Sequence, residues 1–157
     1  MIRGKYLEGA TDDLSVCFYI RREVFVKEQH VSETEEFDSE DMQCGHYLIY
    51  NEDDIPVSTG RLIRVDQTHF KIGRVATLKE YRHKGYAEFL MLALIEKARS
   101  LGALEISLLA QLTAIRFYEK CGFTVADEAI IMDGGIEHKR MTYKVPEVHS
   151  CQCRQEH

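Results

Sequence analysis

Apolar residues recur along the chain with two different spacings, and the spacing changes near residue 86. Between residues 46 and 78, apolar and polar residues alternate, which is typical of strands with one buried face. The alternation predicts three strands, 46–50, 57–65 and 70–78, joined by short polar turns as an antiparallel meander. From 86 to 101 apolar residues lie on most sides of the chain, so this segment is predicted to be a helix buried against a sheet.

The segment before the meander combines a helical pattern with a dense acidic run. Residues 11–26 place apolar side chains at helical spacing, and Thr11 is the expected N-terminal cap. Residues 33–41 contain six carboxylates and show no clean period. We therefore expect a helix followed by an acidic loop or a short second helix.

A second group of elements follows the long helix. Residues 104–110 alternate as a strand, and Thr113 can cap a shorter helix after it. Two closing strands, 123–132 and 136–145, flank residues 133–135 (Asp-Gly-Gly), a typical hairpin turn.

The order of these elements predicts the fold class. With a first strand near the N-terminus, it reads strand, helix, acidic segment, three strands, helix, strand, helix and two strands. This is an α/β fold of the α+β type, with a mixed, largely antiparallel sheet and helices on both faces. We expect one domain over residues 1–145, followed by a polar tail, 146–157.

Composition narrows the class of function. The chain has 157 residues, of which 45% are hydrophobic and 29% charged, as in ordinary globular proteins. A net charge of -6 argues against a nucleic-acid partner, because phosphate binding begins with a basic surface. No apolar run is long enough for a membrane span, and no secretory signal is evident, so a cytoplasmic protein is expected. The five cysteines are expected to be reduced thiols.

The most informative segment is the short basic loop that opens the long helix. Helix-initial amides point outward unpaired, and the helix dipole adds partial positive charge, so such a loop can hold a phosphate. Gly85 would let the backbone approach closely, and Ala87 keeps the next contact small. An ordinary strand-to-helix connection is the alternative. The loop reads Arg82-His83-Lys84-Gly85-Tyr86-Ala87.

This loop resembles the acyl-CoA pyrophosphate loop of the GNAT superfamily of N-acyltransferases, whose pattern is Arg/Gln-x-x-Gly-x-Gly/Ala. Residues 114–123 resemble the superfamily's Ala-x-x-Phe-Tyr-x-x-x-Gly-Phe helix and following strand. The resemblance covers residues 6–145. Similarity to the ElaA-like and YjcF-like branch runs through residues 22–29, 36–41, 110–111 and 135–141.

The resemblance implies a binding mode for acetyl-CoA as cosubstrate, without a metal. In this superfamily a central parallel pair of strands splays apart, and the pantetheine arm lies in the wedge between them. The pyrophosphate would bind the basic loop. The residues implied are Val75, Ala76 and Thr77 for pantetheine, the loop residues Arg82, His83, Lys84, Gly85, Tyr86 and Ala87, and also Gln111.

The implied reaction is direct transfer of an acetyl group from a thioester to an amine, which requires management of two protons. Tyr118 matches the residue that commonly protonates the departing sulfur, although it could be a core aromatic. The base is open: Glu28, Asp38, His46 and His138 are candidates, and a relay of ordered water is an equal alternative.

The acceptor is expected to be a small molecule. In the resembled fold the acidic segment borders the acceptor mouth, which favours a cationic amine, although a solvated acidic loop is the plainer interpretation. Arg22, Glu28, Asp38 and Asp41 are the candidate acceptor-binding residues. A homodimer is possible.

Two other classes of function stay open. One is a non-catalytic sensor that binds acyl-CoA, and the other is an interaction module that uses the acidic segment. A metal could also bind the tail through Cys151 and Cys153 with His149 and His157, but such tails are usually exposed and without function.

Overall fold

The computed structural model describes residues 1–146. Within them, eight strands form one mixed sheet. The strands are β1 (Arg3–Glu8), β2 (Gly45–Tyr50), β3 (Pro56–Arg64), β4 (His69–Thr77), β5 (Glu105–Gln111), β6 (Thr124–Val125), β7 (Ile131–Asp133) and β8 (Ile136–Lys144). The helices are α1 (Ser15–Arg21), its π-helical continuation (Arg22–Glu28), α2 (Glu33–Glu36), α3 (Tyr86–Ser100) and α4 (Ile115–Lys120).

The sheet has the order β1-β2-β3-β4-β5-β8-β6, with β7 also paired to β8. Every neighbouring pair is antiparallel except β4 and β5. The predicted meander is therefore confirmed as β2, β3 and β4. A mixed, largely antiparallel sheet was also the predicted fold class.

The one parallel pair opens along its length. β4 and β5 pair only at their first residues, where Phe70 lies opposite Ile106 and Lys71 opposite Ser107. Further along β4, a register shift against β3 coincides with Arg74, whose φ of 52° is left-handed. A bulge of this kind bends a strand away from its neighbour. The splayed central pair implied by the resemblance is thus present.

Helices cover both faces of the sheet, because each face has its own apolar cluster. On one face α3 buries Leu90, Met91 and Leu94 against strand residues such as Ile106. On the other face α1 contributes Cys17, within a second cluster that includes Leu48 and Ala76 of the sheet. Helices on both faces were predicted, and the structure confirms them.

The N-terminal helix is shorter than predicted. It begins at Ser15, and Thr11 does not cap it, because the Thr11 and Asp12 amides donate to the Glu8 carbonyl in a turn. The carboxylate of Asp13 accepts from the Ser15 amide at 2.9 Å. This aspartate-based turn takes up the residues that would have formed the first helical turn.

Two C-terminal elements also differ from prediction. Thr113 lies in a single 3₁₀ turn, Leu112–Ala114, so it precedes α4 without capping it. The predicted strand 123–132 is present only as β6 and β7. Between them Asp127 accepts from the Ala129 amide at 2.9 Å, a local turn that takes the chain out of the ladder.

The hairpin between β7 and β8 has the predicted turn. Gly134 and Gly135 both have positive φ, 60° and 77°, as a two-residue type I′ connection requires. The helices within residues 1–146 are all too short or too polar to cross a membrane.

Candidate active site

The splayed strands open into a cleft of about 700 Å³. Its walls come from the π-helical segment, α2, β3, β4, the loop before α3, the end of β5, α4 and the β7–β8 hairpin. Predicted site residues that line the cleft are Val75, Ala76, Thr77, Arg82, His83, Gly85, Tyr86, Ala87, Gln111, Tyr118 and His138. A single cavity therefore collects most of the site predicted from sequence.

The loop before α3 presents unpaired amides to the cleft. Gly85 has a φ of 90° and His83 a φ of 63°, so two loop residues have a left-handed backbone conformation just before the helix starts. The Phe89 amide donates to the Gly85 carbonyl, and the helical amides before it have no partner of this kind. A Cβ placed on Gly85 would meet nothing within 4 Å, so the surface above this residue is open. Such a loop suits an anion.

Arg82 is held in place beneath this loop. Its Nη1 and Nη2 atoms donate to the two carboxylate oxygens of Glu28, each at 2.6 Å. Its Nε donates to the Thr77 carbonyl at 2.9 Å. The hydrogen bonds from Arg82 lower the pKa of Glu28 and outweigh the opposite effect of its partial burial. Both oxygens of the candidate base Glu28 are therefore engaged.

Among the other side chains of the loop, Tyr86 is buried, whereas His83 and Lys84 are exposed to solvent. The Tyr86 hydroxyl donates to Glu52 at 2.7 Å, and the ring is buried, so this side chain anchors the start of α3. His83 and Lys84 are exposed, and of the two only His83 lines the cleft.

One edge of β4 is free to bind an extended chain. Because the pairing of β4 with β5 ends at Lys71, the edge of β4 at Val75 faces the cleft and has no ladder partner among residues 1–146. One carbonyl there is already used, since Thr77 accepts from Arg82 at 2.9 Å, whereas the Ala76 carbonyl accepts from the Ser58 hydroxyl of β3. Val75, two residues before Thr77 on the strand, also lines the cleft.

Tyr118 lies at the inner end of the cleft. Its ring packs edge-on against Phe117 and Phe123, with centroids 5.1 and 6.2 Å away, and 8% of the residue is exposed. Burial, with a smaller contribution from Cys121, raises the pKa of Tyr118. The phenol therefore stays protonated at neutral pH and can act as a proton donor.

One ring nitrogen of His138 has no hydrogen-bond partner within residues 1–146. Its Nδ1 lies 2.7 Å from the Ile136 carbonyl, and because a carbonyl only accepts, Nδ1 carries the proton. In the neutral imidazole, Nε2 is then left with its lone pair. His138 lies opposite Gln111 of β5 and lines the cleft. His46, another candidate base, is buried outside this lining, with Nε2 2.9 Å from the Asp41 carbonyl.

A short piece of chain bridges the cleft between its walls; we call residues 28–31 the crossing segment. Glu28 contacts the loop through Arg82, and Gln29 accepts from the Gln111 side chain at 3.0 Å. At its far end Val31 packs against the hairpin glycine, Gly134. Both splayed strands are thereby connected to one segment.

The acidic segment is largely neutralised by arginines. Glu36 and Asp41 are buried, and Asp38 is half-buried. Their partners, Arg21, Arg61 and Arg74, were not identified from the sequence. We call these three residues the arginine cluster. The contacts, all within 3.2 Å, are Arg21 with Glu36 and Asp41, Arg61 with Asp38 and Asp41, and Arg74 with Glu36 and Asp38.

All four predicted acceptor-binding residues, Glu28 included, lie outside the cleft lining. Arg22 is half-buried and pairs with Glu33 at 2.9 Å. Asp38 and Asp41 face the arginines, whose hydrogen bonds and charges hold the pKa of each carboxyl below its ordinary range despite burial. The structure thus gives these two aspartates a structural role.

Metal-binding groups were not predicted in the core of the chain. Across the described part, 1–146, no group of three or more His, Cys, Asp or Glu side chains could hold a metal ion. The tail residues Cys151 and Cys153, with His149 and His157, lie outside the described residues.

Comparison with known proteins identifies the family. The model of the acetyltransferase (GNAT) family matches residues 8–123, and the chain belongs to this family. Over 130 residues it is 38% identical to the N-acetyltransferase YjcF of Bacillus subtilis, an alignment that covers 83% of this chain and 91% of YjcF. The family and branch inferred from the sequence motifs are confirmed.

Solved structures show the same fold. A Lactobacillus plantarum protein assigned as an N-acetyltransferase superposes with a TM-score of 0.83 and 29% identity, covering 92% of this chain and 99% of that one. A Bacillus subtilis acetyltransferase in complex with CoA superposes with a TM-score of 0.67 and 20% identity, covering 93% and 100%.

Proposed function

We propose that the protein is an N-acetyltransferase that transfers an acetyl group from acetyl-CoA directly to a small amine. The observation that carries this proposal is the wedge between β4 and β5, which leads from the Gly85 loop to Tyr118. Membership of the acetyltransferase family supports acyl transfer in general. The donor and the acceptor are inferred from the cleft.

Acetyl-CoA would bind along one wall. The loop amides around Gly85 would hold the pyrophosphate, as unpaired helix-initial amides do. The pantetheine arm would follow the free edge of β4 near Val75, because an extended amide chain can pair with an open strand edge. A related fold with bound CoA is consistent with this placement.

The chemistry needs one proton donor and one acceptor. The amine nitrogen would attack the thioester carbonyl carbon, and the carbon–sulfur bond would break. Tyr118, which its raised pKa keeps protonated at neutral pH, would give its proton to the departing thiolate. The proton leaving the amine would go to Nε2 of His138, directly or through water. Glu28 is less suited to this role, because Arg82 binds both of its oxygens.

The test is a screen with the purified protein, acetyl-CoA and a broad panel of amines. Release of free thiol together with an acetylated product identified by mass spectrometry is expected for at least one amine. Binding of acetyl-CoA without turnover of any amine would instead favour the sensor. If acetyl-CoA does not bind in calorimetry, the interaction module becomes the better explanation.

A further inference from the structure

Arg61 has one hydrogen-bond donor that the arginine cluster does not use. Its Nη1 and Nη2 atoms donate to Asp38 and Asp41 at 2.8 to 3.0 Å. Its Nε is buried and has no acceptor within residues 1–146. An unpaired buried donor on a charged group is unfavourable, so this corner of the cleft is incomplete without an acceptor atom.

The residue paired with Arg61 on the neighbouring strand is a glycine and so has no side chain. Gly73 of β4 lies opposite Arg61 of β3, and both line the cleft. A Cβ added to Gly73 would lie 4.0 Å from Arg61 Nε and within 4 Å of no other atom. Its φ is not left-handed, so neither conformation nor crowding requires glycine here. The missing side chain leaves a gap beside Nε, which we call the Gly73 notch.

A second cation stands next to the notch. Lys71 is two residues from Gly73 on β4, so its side chain projects from the same face of the sheet. It is exposed and lines the cleft. No carboxylate lies within ion-pair distance of its ammonium in the described residues, whereas Glu36, Asp38 and Asp41 are all paired with arginines.

We propose that the Gly73 notch binds a carboxylate carried by the acceptor amine, with Arg61 Nε donating a hydrogen bond and Lys71 supplying charge. This inference rests on the proposed function, because it places the acceptor in the half of the cleft away from the Gly85 loop. A carboxylate forms strong, charge-assisted bonds with both cations. The acceptor class is thus an amino acid-like molecule, rather than the purely cationic amine expected from the acidic segment.

The binding step can be observed directly by nitrogen-15 NMR, since the Nε–H group of a buried arginine gives its own signal. The probes are ω-amino acids from glycine to 6-aminohexanoate, each paired with its neutral amide and titrated into CoA-saturated protein. We expect at least one carboxylate to shift the Arg61 Nε–H signal, and its amide to bind at least about tenfold more weakly.

Two variants locate the site. Gly73→Ala adds only a methyl group, which the free space accepts, and should weaken carboxylate binding about tenfold with acetyl-CoA affinity unchanged. Lys71→Gln should weaken it to a similar extent. Lys5→Gln changes an exposed lysine on β1, far from the notch, and should leave carboxylate binding unaffected.

The outcomes separate this inference from the proposed function. If the amides bind as well as the carboxylates, or Gly73→Ala keeps full affinity, the notch is not a carboxylate site. If no probe shifts the Arg61 Nε–H signal, the inference is also overturned, and this group donates its hydrogen bond to water rather than to a ligand. Acetyl-CoA binding and thiol release are measured separately from carboxylate binding. The proposed acetyl transfer can therefore be confirmed when the carboxylate site is refuted, and the carboxylate site can be confirmed when acetyl transfer is refuted.

Discussion

Glu28 and Arg82 form a two-pronged ion pair between the crossing segment and the loop that opens α3. Both contacts measure 2.6 Å, and the third donor of Arg82, Nε, reaches the Thr77 carbonyl at 2.9 Å. One guanidinium thus joins the end of β4, the loop and the crossing segment. This arrangement favours a positioning role for Glu28 over that of a base.

Replacing Glu28 by Gln should therefore affect acetyl-CoA binding more than chemistry. We expect KM for acetyl-CoA to rise a few-fold and kcat to change less than about tenfold, because a pair about one-third exposed contributes little. Loss of a true general base would instead cost about 100- to 10,000-fold in rate. Glu23→Gln is the matched control, since the one ion pair of Glu23 in the described part of the chain is with Lys27, one turn away.

The same pair predicts a pH dependence. The pKa of Glu28 is lowered in the folded protein, so the pair is intact at and above the ordinary carboxyl range. It is lost only as the pH falls through the lowered value. KM for acetyl-CoA should thus be flat near neutrality and rise only in acid, and Glu28→Gln should remove that rise.

Gly85→Val should disrupt the proposed pyrophosphate site. The side chain would occupy the open surface above the loop amides, and we expect acetyl-CoA affinity to fall by about tenfold or more. Gly135→Val is a close control, because Gly135 also has positive φ and free space around its Cα, but lies in the β7–β8 turn. Similar melting temperatures with equal affinities in calorimetry would refute the loop assignment.

Tyr118→Phe tests the proton donor. Removing the hydroxyl should lower kcat by about 100- to 10,000-fold, the usual contribution of a positioned acid. Acetyl-CoA affinity and stability should change little, because no hydrogen bond from this hydroxyl is found in residues 1–146. Tyr143→Phe, near Phe123 but outside the cleft lining, serves as control. A fully active Tyr118→Phe enzyme would leave Tyr118 as a core aromatic.

Much of the fold could be predicted because the spacing of apolar residues along the sequence reflects which side chains are buried. β4 alternates near its start, where Phe70 and Ile72 are buried on either side of the exposed Lys71, and α3 is apolar on most sides because it packs on the sheet. The loop at Gly85 was located by its glycine and its position between strand and helix. Local turns were harder: the Asp13 and Asp127 side chains compete with the backbone ladder over a few residues only.

The arginine cluster could not be predicted, since its members are far apart in sequence. Arg21, Arg61 and Arg74 meet only when α1 packs over β3 and β4. One signal was present, because Arg61 is a charged residue in the middle of a predicted strand, next to Leu62 and Ile63. Without knowledge of these partners, the acidic segment was expected to attract a cationic substrate.

Arg21 and Arg22 are neighbours with opposite surroundings, and this contrast makes a stability prediction. Arg21 is 1% exposed and bonds both Glu36 and Asp41, whereas the side chain of Arg22 is 43% exposed. Arg21→Met keeps a side chain of similar length but removes one ion-pair partner from each of the buried carboxylates Glu36 and Asp41. We expect a loss of about 3–5 kcal/mol in urea unfolding, against about 0–1 kcal/mol for Arg22→Met.

The pH dependence of that loss identifies its cause. Although burial alone would raise the pKa of Asp41, Arg21 and Arg61 hold it below the ordinary range, so its contribution to stability is present near neutrality and disappears in acid. Without Arg21 the pKa of Asp41 should rise, and protonation then removes the unpaired charge. The difference between wild type and Arg21→Met should therefore be largest at pH 7 and narrow toward about pH 4. A difference that is constant across this range would mean that lost packing, rather than an unpaired carboxylate, destabilises the variant.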